Sequence, residues 1–307
     1  MSDAKKTLEV DVARPQLEDL PHLSSGKRVR LQRMLYEYGP ANGTLLFLPI
    51  DQGLEHGPVD MFPNPPSIDP AFQWDLALEG GYSGIALHYG LADRYMGPYA
   101  GRVPLVLKVN GKTNIPPDDE ALSPPTATVE DAVRLGADAV GFTLYVGSPR
   151  QDEDFQHLVA VRQACDEFGM PLIVWSYPRG AAIEEKGGRD SLYAVDYAAR
   201  VAHELGADVI KLNAPKGTSP DSPSPYDDLD MTREEMLRKV IISAGNSMVL
   251  LSGGSKLSDE DLLDKVEMGM KAGATGLIFG RNMWQRPKED ALEITGRVKD
   301  VLADYGG

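Results

Sequence analysis

Two lysines stand where a chain seldom puts them. Lys211 follows Ala207-Asp208-Val209-Ile210 at the end of an apolar run, and Lys108 sits inside another, Leu105-Val106-Leu107-Lys108-Val109. A lysine among buried apolar residues is paired or used. Desolvation, or a second cation nearby, disfavours the ammonium and leaves a nucleophilic amine. If both side chains share one space, Lys108 either holds down the pKa of Lys211 or pairs with Asp51, which ends a third apolar run. Asp51 has other readings: orienting a hydroxyl, relaying a proton, or forming a turn before Gly53. His56 shares that loop, where a lone histidine is more often a surface or capping residue than a catalytic one.

Trp175 and Tyr177 end a fourth run, within Val174-Trp175-Ser176-Tyr177-Pro178-Arg179-Gly180. A tyrosine there serves as general acid/base if cations lower its pKa; the plainer reading is an aromatic pair lining a rim. Ser252-Gly253-Gly254-Ser255 and Gly280-Arg281-Asn282 are glycine-bearing turns. Their backbone N–H groups, with Arg281 as a bidentate donor, suit a phosphate, and helix capping is the alternative. The five histidines, His22, His56, His88, His157 and His203, form no H-x-x-x-H or H-x-H pair, so no metal site is expected. The single cysteine, Cys165, lies at helical spacing with Val161, Ala164 and Phe168 and reads as a buried thiol; it excludes an intrachain disulfide.

What must position these residues is a repeated unit. Eight apolar runs, at 44–50, 84–88, 104–109, 138–144, 171–176, 207–212, 247–252 and 275–280, alternate with segments of helical pattern. The runs are continuous rather than alternating, as parallel strands covered by helices require. Leu135-Gly136-Ala137-Asp138, Leu205-Gly206-Ala207-Asp208 and Ala272-Gly273-Ala274-Thr275 each read as a helix ending at a glycine, then a short loop into a strand. This predicts an α/β fold, a (β/α)8 TIM barrel, whose active site lies at the C-terminal ends of the strands. The residues named above fall there, and the glycine turns follow strands seven and eight, where such barrels bind phosphate. An open doubly wound sheet fits less well, because no G-x-G-x-x-G follows the first run. Two long loops, 113–126 and 214–230, belong to the same side. Residues 1–43 read as an N-terminal extension with a helix over 24–38 (Val29, Leu31, Met34, Leu35) suited to cover the barrel bottom, and 44–307 as a single barrel domain.

The 307-residue chain is 42% apolar, enough for a large core. A formal charge of −15 repels nucleic acid and anionic membrane, so neither is an expected partner. A phosphorylated substrate would have to be held against that field by local N–H groups and a few Lys or Arg. No stretch approaches the roughly 18 apolar residues of a membrane helix, and the polar N-terminus does not read as a secretory signal. Cytoplasm is the default localisation.

Five motifs in order carry a resemblance: Pro49-Ile50-Asp51-Gln52-Gly53-Leu54-Glu55-His56-Gly57-Pro58, the Trp175/Tyr177 segment, Lys211, Ser252-Gly253-Gly254, and Gly280-Arg281-Asn282-Met283-Trp284-Gln285. From about residue 44 onward the chain resembles the archaeal-type class I fructose-1,6-bisphosphate aldolases. The resemblance implies a TIM barrel that needs no metal or cofactor and forms a Schiff base on a phosphorylated sugar. It implies that Lys211 is the Schiff-base lysine, Tyr177 the residue moving the proton next to the imine, and Asp51 an active-site carboxylate. Trp175 would line the substrate; Ser252, Gly253, Gly254, Gly280 and Arg281 would bind phosphate; Lys108 matches a strand lysine, and His56 belongs to the substrate loop. A homo-oligomer, often a decamer, is implied too. Relatives on the same scaffold leave two alternatives, a transaldolase-like synthase and a thiolase; a silent phosphosugar-binding barrel is a third. The N-terminal extension and the 214–230 loop depart from the compact members.

Overall fold

In the computed structural model, which describes residues 14–306, eight parallel strands close into a barrel in sequence order. They are β1 (Leu45–Pro49), β2 (Gly84–His88), β3 (Leu105–Lys108), β4 (Ala139–Val146), β5 (Leu172–Pro178), β6 (Val209–Leu212), β7 (Met248–Ser252) and β8 (Gly276–Ile278). β8 closes the ring on β1 through Leu45↔Gly276 and Phe47↔Ile278. The α/β barrel expected from the runs is the observed fold. β4 and β5 run two residues past their apolar runs, because their pairing continues through Tyr145↔Tyr177 and Val146↔Pro178.

The glycines of the three repeats, Gly136, Gly206 and Gly273, have φ of 67°, 92° and 104°, the left-handed conformation that ends a helix. The aspartates that follow two of them have a use beneath the barrel. Helix Ser25–Gln32, capped by the Ser24 side chain, runs into a wider turn at Arg33–Glu37. Its Lys27 pairs with Asp208 at 2.9 Å, and Arg33 pairs with Asp138 at 2.7 Å. Leu17, Leu20, Leu23, Leu31, Met34 and Leu35 pack under Leu45, Phe47, Val106 and Met248 and seal the bottom of the cylinder. Val29 does not join them; it is 61% exposed. Two residues before Leu31 is about 200° around a helix, so Val29 faces away from that seam. Residues 1–13 of the extension lie outside the described residues. Among the described residues, no helix is long and apolar enough to cross a membrane.

Strand pleating decides where each side chain goes. Phe47, Ala86, Val106, Ala139, Ile173, Val209, Leu250 and Ile278 face the barrel interior, while Leu46, Ile85, Leu107, Val140, Val174, Ile210 and Leu251 face the helices. Counting on by twos along the inward series reaches Asp51, His88, Lys108, Thr143, Trp175, Tyr177, Lys211, Ser252 and Gly280. The chemistry-bearing residues therefore continue the interior face of eight strands to their C-terminal ends.

Candidate active site

Lys211, at the end of β6, is 8% exposed and hydrogen-bonded through Nζ to the Tyr177 hydroxyl on β5. Its register partner is Trp175, whose ring lies beneath both amines: Nζ of Lys108 is 4.4 Å and Nζ of Lys211 is 5.6 Å from the ring centre. Burial brings the Lys211 amine down to about 8; Asp51 and Glu55 pull it upward, while Lys108 and Arg281 push it further down. Lys108 behaves oppositely. It is fully buried, yet its ammonium donates to Asp51 at 3.1 Å, Glu55 at 2.8 Å and Thr143 Oγ1 at 2.7 Å. Burial disfavours that charge, but Glu55 and Asp51 more than compensate and raise its pKa. Asp51 answers in kind: burial opposes its ionisation, and Lys108, Lys211 and His88 overcome this and hold it below the usual carboxylate range. Room for this cluster depends on Gly141, where a Cβ would come within 2.9 Å of both Lys108 Cδ and the Trp175 ring.

Two expectations need correction. Trp175 neither sits on the rim nor lines the cavity where a substrate would lie; it is 0% exposed and forms the floor under the two amines, because β5 turns it inward one layer below Tyr177. Nor do the nearby cations bring the Tyr177 pKa below its ordinary value. Burial raises it, Glu55 and Asp51 add to the rise, and Lys108 and Arg179 do not offset them. Tyr177 is therefore a neutral phenol that starts with its proton.

Above the lysine opens a cavity of about 740 Å³ lined by Asp51, His56, Tyr177, Lys211, Ser252, Gly253, Gly254, Gly280 and Arg281, among others. On one side are the turns after β7 and β8. Gly254 needs its left-handed φ of 73°, and a Cβ on Gly280 would come 2.8 Å from the Pro49 carbonyl. Arg281 donates to the Gly254 carbonyl at 3.1 Å, and the short helix it begins (Arg281–Trp284) leaves its first N–H groups without intrahelical acceptors. Ser252 donates to Asn213. His56 is partnered by Asp60 at 2.7 Å, and the same carboxylate lies 3.8 Å from Arg281.

The sequence reading missed several residues that line this space. Lys265, on helix Asp259–Lys271, donates to the Gly253 carbonyl at 3.1 Å; burial, helped by Lys211 and Lys216, brings its amine down to about 8. Across the ring from the glycine turns, Lys112, Arg179 and Arg189 converge on Asp118 of the 113–126 loop. Glu55, which resemblance alone had brought forward, turns out to hold Lys108. Among the described residues, no three His, Cys, Asp or Glu side chains are grouped to hold a metal ion.

A cavity whose buried, partly neutral lysine faces a phenol and two cationic flanks has counterparts among known proteins. The profile of the DeoC/LacD family aldolases matches residues 45–286. The chain is 40% identical over 266 residues to the class 1 fructose-bisphosphate aldolase of Thermoproteus tenax, covering 86% of this chain and 91% of that protein. It is 40% identical over 248 residues to the enzyme of the same name from Halobacterium salinarum, covering 80% and 86%. An archaeal fructose-1,6-bisphosphate aldolase, solved with its catalytic Lys covalently bound to the carbinolamine intermediate of the substrate, superposes with a TM-score of 0.76 at 36% identity, covering 89% of this chain and 99% of that one. The fructose-bisphosphate aldolase of Slackia heliotrinireducens superposes at 0.80 with 26% identity, covering 97% and 91%. The chain thus belongs to the DeoC/LacD family of aldolases, among the archaeal-type class I fructose-bisphosphate aldolases.

Proposed function

We propose that this protein is a class I fructose-1,6-bisphosphate aldolase that uses Lys211 as its Schiff-base residue. The observation that carries the reading is the contact between the enclosed Lys211 amine and the Tyr177 phenol, above Trp175 and between two cationic flanks. Neutral Lys211 attacks the C2 ketone. The carbinolamine loses water to give an iminium, which takes up the electron pair as C3–C4 breaks and the C4 hydroxyl loses its proton. Glyceraldehyde 3-phosphate leaves, Tyr177 protonates C3 of the enamine, and hydrolysis frees dihydroxyacetone phosphate. Asp51 and Glu55 favour the positively charged form of the Lys211 nitrogen, so they stabilise the iminium more than the attacking amine. The glycine turns with Arg281 and Lys265 hold one phosphate and so locate the ketone over Nζ. Lys112, Arg179 and Arg189 face the other. The homo-oligomer implied by the resemblance is part of this reading, supported by the exposed apolar side chains Val59, Phe62 and Ile68 beside the mouth-side loop after β1.

Borohydride reduction in the presence of dihydroxyacetone phosphate and a chelator tests the reading. The reduced adduct should be found on Lys211; no adduct, or an adduct on Lys108 or Lys265, overturns it. Tyr177→Phe should still form the imine but lose exchange of the α-proton, and retained exchange would remove Tyr177 from its role. A substrate panel separates this activity from the transaldolase-like and thiolase alternatives.

A further inference from the structure

Opposite the glycine turns, one carboxylate faces three cations. Asp118 Oδ1 is 2.8 Å from Lys112 Nζ, and Oδ2 is 3.0 Å from Arg179 Nε and 3.1 Å from Arg189 Nη1. All four side chains line the active-site cavity. The cations come from different places. Lys112 lies just past β3, while Arg179 and Arg189 flank the short helix Ala181–Glu184 after β5. That wall is itself fixed: Leu192 N–H donates to the Gly217 carbonyl at 2.8 Å, and Lys216 N–H to the Asp190 carbonyl at 2.8 Å. Lys216 is already spent on Asp190, at 2.6 Å.

Asp118 is a poor match for what surrounds it. A single carboxylate cannot satisfy the donors of two guanidinium groups and an ammonium. Arg179 shows the shortfall: its Nε is buried and close to Asp118, yet it is not aligned with any acceptor. A phosphoryl group brings three oxygens and up to two negative charges, and it accepts bidentately from arginine. Asp118 sits in a single turn, Asp118–Glu120, that follows Pro116-Pro117. The loop is pinned just beyond this turn, where Ser148 donates to the Ala121 carbonyl at 2.6 Å and Ser123 N–H donates to Asp154 at 3.2 Å. The side chain can therefore turn away while the loop stays in place.

We propose that Asp118 is a specificity-determining residue, an internal anion that occupies the subsite of the substrate's distal phosphate and must be displaced by it. The inference rests on the aldolase reading above. Asp118 sets how strongly the site prefers a bisphosphate over a sugar phosphorylated only at C1. With Asp118 present, the distal phosphate gains the cations but first loses them an existing partner and then meets a like charge. Without that charge, the three cations are left for the phosphate alone.

The test compares kcat/KM for fructose 1,6-bisphosphate and fructose 1-phosphate, which keeps the ketone and the proximal phosphate. Asp118→Asn should raise the ratio of the two about tenfold, through a lower KM for the bisphosphate, the scale of a few partly exposed ion pairs. Arg189→Gln should lower it by a similar factor. An Asp118→Asn ratio that stays level or falls overturns the proposal, as does an Arg189→Gln ratio that does not fall. Cleavage of fructose 1-phosphate and the borohydride adduct with dihydroxyacetone phosphate involve no distal phosphate. If the wild-type protein shows neither, the aldolase reading has failed; if both are present and the ratio does not move as stated, only Asp118 has been misread.

Discussion

Replacing the central lysine should make the protein more stable as well as inactive. In the folded chain the Lys211 amine titrates near 8, against an ordinary 10.5. Each unit is worth about 1.4 kcal/mol, so forcing the ammonium into this site costs folding about 3 kcal/mol wherever both states are protonated. The sign follows from proton counts: between pH 8 and 10.5 the unfolded chain binds more protons at this position, so its stability rises with pH there. The cost is thus full below pH 8 and has shrunk to about 1 kcal/mol by pH 10. Lys211→Met removes the charge, keeps most of the volume, and gives up one hydrogen bond to Tyr177, worth about 1 kcal/mol. The net gain at pH 7 is about 2 kcal/mol, roughly 3 °C in Tm for a chain of this size. At pH 10 the gain should vanish. Thermal unfolding of both proteins at equal concentration, at pH 7 and pH 10, measures it. A variant less stable at pH 7, or a gain that does not depend on pH, would refute a desolvated Lys211.

The same amine predicts the pH profile of the chemistry. At pH 7 an amine with a pKa of about 8 is about 9% neutral, whereas one at 10.5 is about 0.03% neutral. The rate of imine formation should rise sigmoidally with a midpoint near 8; a midpoint of 10 or above in rapid borohydride trapping would contradict this. Lys108→Met should act in the opposite sense to Lys211→Met. It strands Asp51 and Glu55 in the interior and should cost about 3–5 kcal/mol in urea denaturation, with a loss under 1 kcal/mol as the contrary result. Gly280→Ala places a Cβ 2.7 Å from Gln52 Nε2 and 2.8 Å from the Pro49 carbonyl, so it should destabilise the fold by about 1–3 kcal/mol and raise KM for the bisphosphate. Wild-type stability and KM together would show the turn to be tolerant.

The barrel was legible because its signal is repeated. Eight apolar runs and three helix-glycine-strand junctions fixed the order of elements, and Gly136, Gly206 and Gly273 took the left-handed conformations their positions implied. Lys108 and Lys211 were legible because a lysine inside an apolar run is an anomaly. The level of Trp175 was not. In a strand buried on both faces, inward and outward residues are equally apolar, so the pleat leaves no trace, and rim and floor differ by one step of two residues. Asp51 and Glu55 on Tyr177 were hidden for a related reason. Their closeness depends on β1, β3 and β5 meeting across the cylinder, and the sequence showed the cations without the carboxylates that outweigh them. Lys265 follows Asp264 on a helix whose polar face reads as ordinary solvated surface; only the approach of that helix to Gly253 brings its amine into the cavity.

The charge of the whole chain illustrates the same point of scale. A formal −15 argues against an anionic substrate only if the charge is felt where the substrate binds. At physiological ionic strength exposed charges are screened beyond about 8 Å, while charges inside a partly enclosed cavity are screened much less. Within the cavity, Lys112, Arg179, Arg189, Lys265 and Arg281 stand in two groups on opposite sides of Lys211. The groups differ in how far they are neutralised. Lys265 donates to the Gly253 carbonyl, which carries no net charge, and Arg281 donates to the Gly254 carbonyl with the Asp60 carboxylate, already taken up by His56, no nearer than 3.8 Å. The other three share the carboxylate of Asp118. On the proposed function, a substrate with one phosphate would seat it at the glycine turns first, which would leave its ketone over Lys211. The second phosphate then meets the guarded subsite, and its contribution to affinity is a difference between two anions rather than the full attraction of three cations.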